Sequence, residues 1–170
     1  MGRFLGMFLA FCATAPAQQS NAYVAAALGG ISIAGNTAKA LYGAAGAEGI
    51  VGSGIGLGAE AGVVRQVSAQ WHGVLTYVSP NFYYHFIRTG DRTDPFVTAG
   101  YTSLFRGAHH EAGQDPGQAN LVNAGGGVNY WFRPNLGARI EFRDDLRPKR
   151  GPNPNYWRFR VGIVIRVGVR

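Results

Sequence analysis

The residues able to do chemistry in this sequence are few, and their spacing argues against most of the chemistry they could do. His109, His110 and Glu111 are consecutive; a metal would need further ligands from elsewhere, and the helical HExxH spacing is absent. The stretch VGSGIGLGAEAG has the glycine content of a phosphate or dinucleotide loop. Its Gly52, Gly54, Gly56 and Gly58 recur every two residues, however, which is neither GxGxxG nor a loop ending in GKS or GKT. Ser79 and His85 could begin a nucleophilic triad. On one face of a strand they stand six residues apart, about 20 Å at ~3.3 Å per residue, too far to hydrogen-bond. No catalytic, cofactor-binding or metal-ligating residue is therefore expected, and no cofactor. The single cysteine, Cys12, falls in the N-terminal apolar run, so the rest of the chain has no thiol for disulfide or zinc chemistry.

One further group of charges follows a rule. Glu48, Glu60, Arg139, Glu141, Arg143, Asp145, Arg158, Arg160 and Arg166 all sit at alternate positions opposite apolar neighbours. The pattern is sharpest at the C-terminus, where YWRFRVGIVIRVGVR puts Trp157, Phe159, Val161, Ile163, Ile165, Val167 and Val169 on one face. The other face carries Arg158, Arg160, Gly162, Val164, Arg166, Gly168 and Arg170. Period-two alternation is the mark of a strand with two unlike faces.

Eight such segments divide at turn signals: about 22–33, 38–51, 54–65, 73–86, 95–106, 119–132, 136–147 and 156–170. The first is expected to group Tyr23, Ala25, Ala27, Ile31 and Ile33 as its apolar face. The third sets Ile55, Leu57, Ala59, Ala61 and Val63 against Gly54, Gly56, Gly58, Glu60 and Gly62. Pro80 interrupts the fourth, where an edge or bulge is expected. Each segment is long enough to cross a bilayer at a tilt. The second and sixth connections are tight, whereas the longest polar stretches, RGAHHEAGQDPGQA and RPKRGPNPN, are odd-numbered. Short turns at one end and long loops at the other suit a membrane barrel with its loops outside.

The charges decide which face meets lipid. Four acids and five bases on one face can neutralise one another across an eight-stranded lumen just wide enough to be filled by side chains. On the other face, Tyr84, Phe86, Tyr130 and Phe132 gather at one end of an aliphatic band and Phe142, Trp157 and Phe159 at the other. These are the girdles of a membrane barrel. The expectation is an all-β, eight-stranded antiparallel up-and-down transmembrane barrel with a plugged interior, no wide pore and no enzyme activity. The two rival readings are a soluble, lipocalin-like ligand-binding barrel and an outer-membrane lipid-modifying enzyme.

Length and charge fit. The 170 residues make one domain. Residues 1–17, MGRFLGMFLAFCATAPA, read as an export signal with Ala15-Pro16-Ala17 at the cleavage site, leaving 18–170 as the barrel domain. The formal charge is +7, from two lysines (Lys39 and Lys149) and fourteen arginines against nine acids. Arginines spread along strands, with no recognition motif, argue against nucleic acid as a partner.

The sequence resembles the small outer-membrane β-barrels of the OmpA-like and OmpX-like class. The resemblance spans residues 18–170 and is strongest in GIGLGAEAG, DPFVTAGYTSLF, NAGGGVNYWF and the last strand. It implies a monomer in the bacterial outer membrane, in contact with lipopolysaccharide and phospholipid and inserted by the barrel-assembly machinery. Arg160, Gly162, Ile165 and Val167 resemble the terminal signal read by that machinery, with aliphatic residues at the bulky positions. No peptidoglycan-binding segment follows in the sequence, so cell-wall tethering is not implied.

Overall fold

The computed structural model describes residues 19–33, 36–51, 53–67, 74–86, 92–106, 119–147 and 155–167. They form β1 (Gln19–Ile33), β2 (Asn36–Ile50), β3 (Ile55–Gln66), β4 (Val74–His85), β5 (Thr93–Arg106), β6 (Ala119–Arg133), β7 (Leu136–Leu146) and β8 (Asn155–Val167). Each strand pairs antiparallel with the next and β8 closes on β1, which leaves no free edge. The leader expected at 1–17, the His109–Glu111 cluster and residues 168–170 lie outside the described residues.

The register fixes the barrel's shape. Following paired residues from Asn21 through Glu48, Gly58, Asn81, Gly100, Asn123, Asp145 and Tyr156 leads back to Ile31, ten residues further along β1. With strands ~4.8 Å apart, that offset tilts them by about 40°. It also means that residues paired around the barrel climb steadily from the end of the tight turns to the end of the long loops. At the β2–β3 turn Ser53 and Gly54 take φ of 46° and 84°, in the left-handed region that glycine adopts without strain. A Cβ on Gly54 would lie 2.2 Å from the carbonyl oxygen of His85, so glycine is needed there.

Pro80 departs from expectation. It sits inside β4 with no shift of register: Val78 faces Ser103 and Asn81 faces Gly100 on β5, and pairing is interrupted only between them. A proline lacks the N–H to pair, and the ladder here spans the gap without a bulge. The irregularity lies instead in β6, between Trp131 and Arg133, beside the Pro134-Asn135 turn.

From β2 to β8 the faces fall as the alternation predicts. Leu41, Val63, Phe82, Val97, Val122, Ile140 and Ile163 point out and are exposed, while the glutamates, arginines and asparagines point in. A soluble barrel would hide that aliphatic face, and the lipocalin-like reading fails on this point. β1 is the correction. Tyr23, Ala27 and Ile31 are buried in the lumen, whereas Val24 and Leu28 are exposed at 59% and 65%. Both faces of β1 are small and apolar, so alternation alone could not orient it; the Tyr23 hydroxyl, which needs a partner when buried, turns that face inward.

Candidate functional site: a charged ladder through the lumen

Among the described residues, the two strands β7 and β8 supply the four fully buried arginines: Arg139, Arg143, Arg158 and Arg160. Pairing sets Glu141 beside Arg160 and Arg143 beside Arg158. Side by side, Arg143 and Arg158 would repel. Carboxylates from across the barrel relieve this, because guanidinium stems are long enough to span a lumen this narrow.

The contacts form a ladder. Near the tight turns, Arg139 Nη1 donates to Glu48 Oε1 on β2 at 3.2 Å and Arg139 Nε to Glu141 Oε2 at 3.2 Å. Its guanidinium also lies 4.4 Å from the Tyr23 ring centre and 4.0 Å from that of Phe96, a stacking that suits a planar cation. At mid-height Arg143 holds Glu141 through Nε at 2.8 Å. Arg160 bridges Glu141 and Glu60 with its two terminal nitrogens. Glu60 further accepts from Tyr23 at 2.9 Å and Tyr77 at 2.8 Å. Above them Arg158 pairs with Asp145 at 3.2 Å. Polar side chains connect the two levels. Thr102 donates to Asp145 at 2.7 Å, Ser79 lies 3.0 Å from Thr102 and bonds Asn81, and Asn81 accepts from Arg143 at 3.3 Å.

Glycines make the room for this. A Cβ on Gly46 would stand 2.5 Å from the Tyr23 ring and one on Gly62 2.6 Å from the Tyr77 ring; these inner-face glycines of β2 and β3 are thus space for tyrosine rings that come from other strands. That is the role of the glycine repeat in GIGLGAEAG, in place of phosphate binding.

Eight of the nine charges expected in one network meet in it. Arg166 does not. It is half-buried at the tight-turn end, where its guanidinium stacks 3.9 Å over the Trp131 ring and reaches the Pro134 carbonyl at 3.5 Å. Sitting one step beyond Val164 on β8, it is too low to reach the glutamates of the ladder.

The sequence reading missed the polar members at the foot of the barrel. His85 Nδ1 lies 2.9 Å from Asp94 Oδ1, and its Nε2 3.5 Å from Glu48. Asn129 donates to Asp94 at 3.0 Å and Asn21 to Glu48 at 2.8 Å. His85 already stood on the inner face of its segment. Asn21 and Asp94 fell one residue outside the expected strand limits and so escaped notice. At the other end the ladder gives way to an apolar collar of Ile31, Ala40, Val64, Leu104 and Leu121, with Tyr42 and Tyr77 beneath. Ser79 and His85 face the same lumen as expected, and Ser79 bonds Asn81 and Thr102, not a histidine. Among the described residues no histidine, cysteine or acid cluster is arranged to hold a metal.

The β8 residues of the expected assembly signal divide between the faces. Ile165 and Val167 are exposed at the tight-turn end, while Arg160 belongs to the ladder.

Comparison with known proteins agrees with this architecture. Neisserial surface protein A superposes with a TM-score of 0.70 at 15% identity, covering 86% of this chain and 96% of that one. The N-terminal β-barrel domain of Pseudomonas aeruginosa OprF gives 0.58 at 19% identity, with 85% and 96% covered. The outer-membrane enzyme PagL gives 0.59 at 19% identity, with 84% and 98% covered. At these identities the likeness is one of fold. No curated protein matches the sequence. The family model of the OprF membrane domain, however, matches residues 65–169, well over half of the chain. The protein thus belongs to the OprF membrane-domain family and is an eight-stranded outer-membrane β-barrel.

Proposed function

We propose that this barrel is a closed, non-enzymatic unit of the outer membrane whose role is structural or lies in contacts made by its outer loops. The observation that carries the reading is the ladder, whose ionic groups fill the lumen beneath an apolar collar. Buried ions cost several kcal/mol each unless paired. Opening a water path along the axis would mean separating those pairs, and the collar above disfavours entry of water. Planar-bilayer recording of refolded protein tests this: only brief, small events are expected, and large, steady conductance would overturn the plug.

PagL shows that this fold can carry an enzyme. Against that role here, Ser79 and His85, the pair the sequence offered as nucleophile and base, are buried in the lumen and engaged with other partners. A lipid-modifying site must meet lipid. Expression in cells should leave the mobility of lipopolysaccharide unchanged. In the same proposal the protein is a monomer, residues 1–17 direct export, lipopolysaccharide and phospholipid surround the aliphatic face, and the barrel-assembly machinery reads β8 through Gly162, Ile165, Val167 and the ladder residue Arg160.

A further inference from the structure

The buried carboxylates of the lumen are not paired alike. Glu48 contacts Arg139, Glu60 contacts Arg160, Glu141 contacts Arg143 and Asp145 contacts Arg158. Asp94, on β5 at the tight-turn end, is equally buried, yet among the described residues no arginine lies within ion-pair distance of it. Its partners are His85 of β4, whose Nδ1 is 2.9 and 3.1 Å from the two carboxylate oxygens, and the Asn129 amide at 3.0 Å. A carboxylate out of water is costly unless a cation answers it.

His85 is placed to be that cation. Its other ring nitrogen, Nε2, is 3.5 Å from Glu48 Oε1 on β2 and has no hydrogen-bond partner. A neutral imidazole carries one N–H and one lone pair, so either tautomer turns a lone pair toward a carboxylate. Only the imidazolium presents N–H to both. The ring is fixed where it lies: the backbone N–H of His85 donates to the Gly54 carbonyl in the β2–β3 turn at 2.8 Å, and the Phe96 and Tyr83 rings are centred 5.5 and 6.2 Å away. The remaining charges around it are cationic. Arg139 of β7 holds the same Glu48 oxygen at 3.2 Å, and Arg166 of β8 lies in the field of Asp94 from the half-buried rim. Tyr83 of β4 is the other titratable neighbour, while β1 and β6 contribute the uncharged Asn21 and Asn129.

We infer that His85 is a proton-operated latch at the foot of the barrel. Protonated, it ties β4 to Asp94 of β5 and Glu48 of β2; deprotonated, it turns a lone pair on Glu48 and leaves Asp94 without a close cation. The latch goes beyond the closed lumen proposed above and does not depend on it. Histidine is the side chain that exchanges its proton between about pH 5 and 8. Because the latched form is the protonated one, the stability it adds is present at acid pH and lost as pH rises.

The test is urea titration of the refolded barrel between about pH 5.5 and 8.5, comparing the wild type with H85Q, whose amide can donate to Asp94 and never becomes charged. Relative to H85Q, the folded-to-unfolded ratio of the wild type should be about tenfold higher at the acid end than at the alkaline end. D94N should remove most of that difference, and R133Q, at the tight-turn end and outside the cluster, should keep it. Heat-modifiable gel mobility confirms that each variant is folded. Nitrogen NMR of the wild-type ring, which needs no variant, should show both nitrogens protonated at the acid end and Nε2 bare at the alkaline end. A ring already neutral at the acid end, parallel pH profiles for the wild type and H85Q, or a wild type that gains on H85Q as pH rises would overturn the inference. Steady conductance would overturn the closed lumen and leave this result untouched.

Discussion

β8 and β1 lie side by side in the barrel and pair along their length, yet they solve the same problem in opposite ways. β8 puts large aliphatic and aromatic groups outward and arginine inward, so its two faces differ by the full cost of placing a cation in hydrocarbon. β1 is apolar on both sides: Val24, Ala26 and Leu28 face out, and Tyr23, Ala27 and Ile31 face in. Its orientation is set by two polar groups on the inward face, the Tyr23 hydroxyl reaching Glu60 on β3 and the Asn21 amide reaching Glu48 on β2. A strand with unlike faces orients itself, whereas a strand with like faces is oriented by what the rest of the barrel offers it.

The division extends through each half of the molecule. β7 and β8 contribute the arginines, β2 and β3 contribute Glu48 and Glu60, which pair with Arg139 and Arg160, and glycines that make room for Tyr23 and Tyr77. Neither half can be closed alone without burying unpaired charge or leaving a void.

The contrast can be attacked at several points. The largest effect should come from Glu141, which holds Arg139, Arg143 and Arg160 together. Glu141→Leu leaves buried cations uncompensated and should lower unfolding free energy in lipid by about 3–5 kcal/mol, measured by urea titration of refolded protein. Next come Ile163→Arg on β8 and Val24→Arg on β1. The two residues are paired, so both should cost about 2–4 kcal/mol near the bilayer midplane. A much smaller cost at Val24 would mean that β1 turns its other face to lipid. Tyr23→Phe removes the hydroxyl bonded to Glu60 and should cost about 1–2 kcal/mol, against no loss for Tyr84→Phe on the outer face. Smallest should be Arg166→Gln, outside the ladder, at about 0.5–1 kcal/mol for its stacking on Trp131. A loss as large as that of Glu141→Leu would place Arg166 in the network after all.

Much of this was legible beforehand wherever chemistry alternates cleanly. The limits of β6 and β7 and the inward set Arg139, Glu141, Arg143 and Asp145 follow from a period of two and the penalty for ions in lipid. Asn21 and Asp94 were lost to strand limits placed a residue or so too tightly, because polar residues at strand ends look like loop. Arg166 was grouped with the ladder because parity reports which face a residue is on and says nothing of its height.

The alternation and its charges determined by themselves that there are eight strands, which faces of seven of them are unlike, and that a stripe of acids and arginines must be enclosed together. Only the closed barrel decided the rest: the face of β1, the exclusion of Arg166, and the partnering of Glu60 with Arg160 and of Glu48 with Arg139. The physical reason is that the faces of a strand are set by neighbours two residues apart in sequence. Contacts across the lumen depend instead on register and tilt accumulated around all eight strands, which no local stretch of sequence contains.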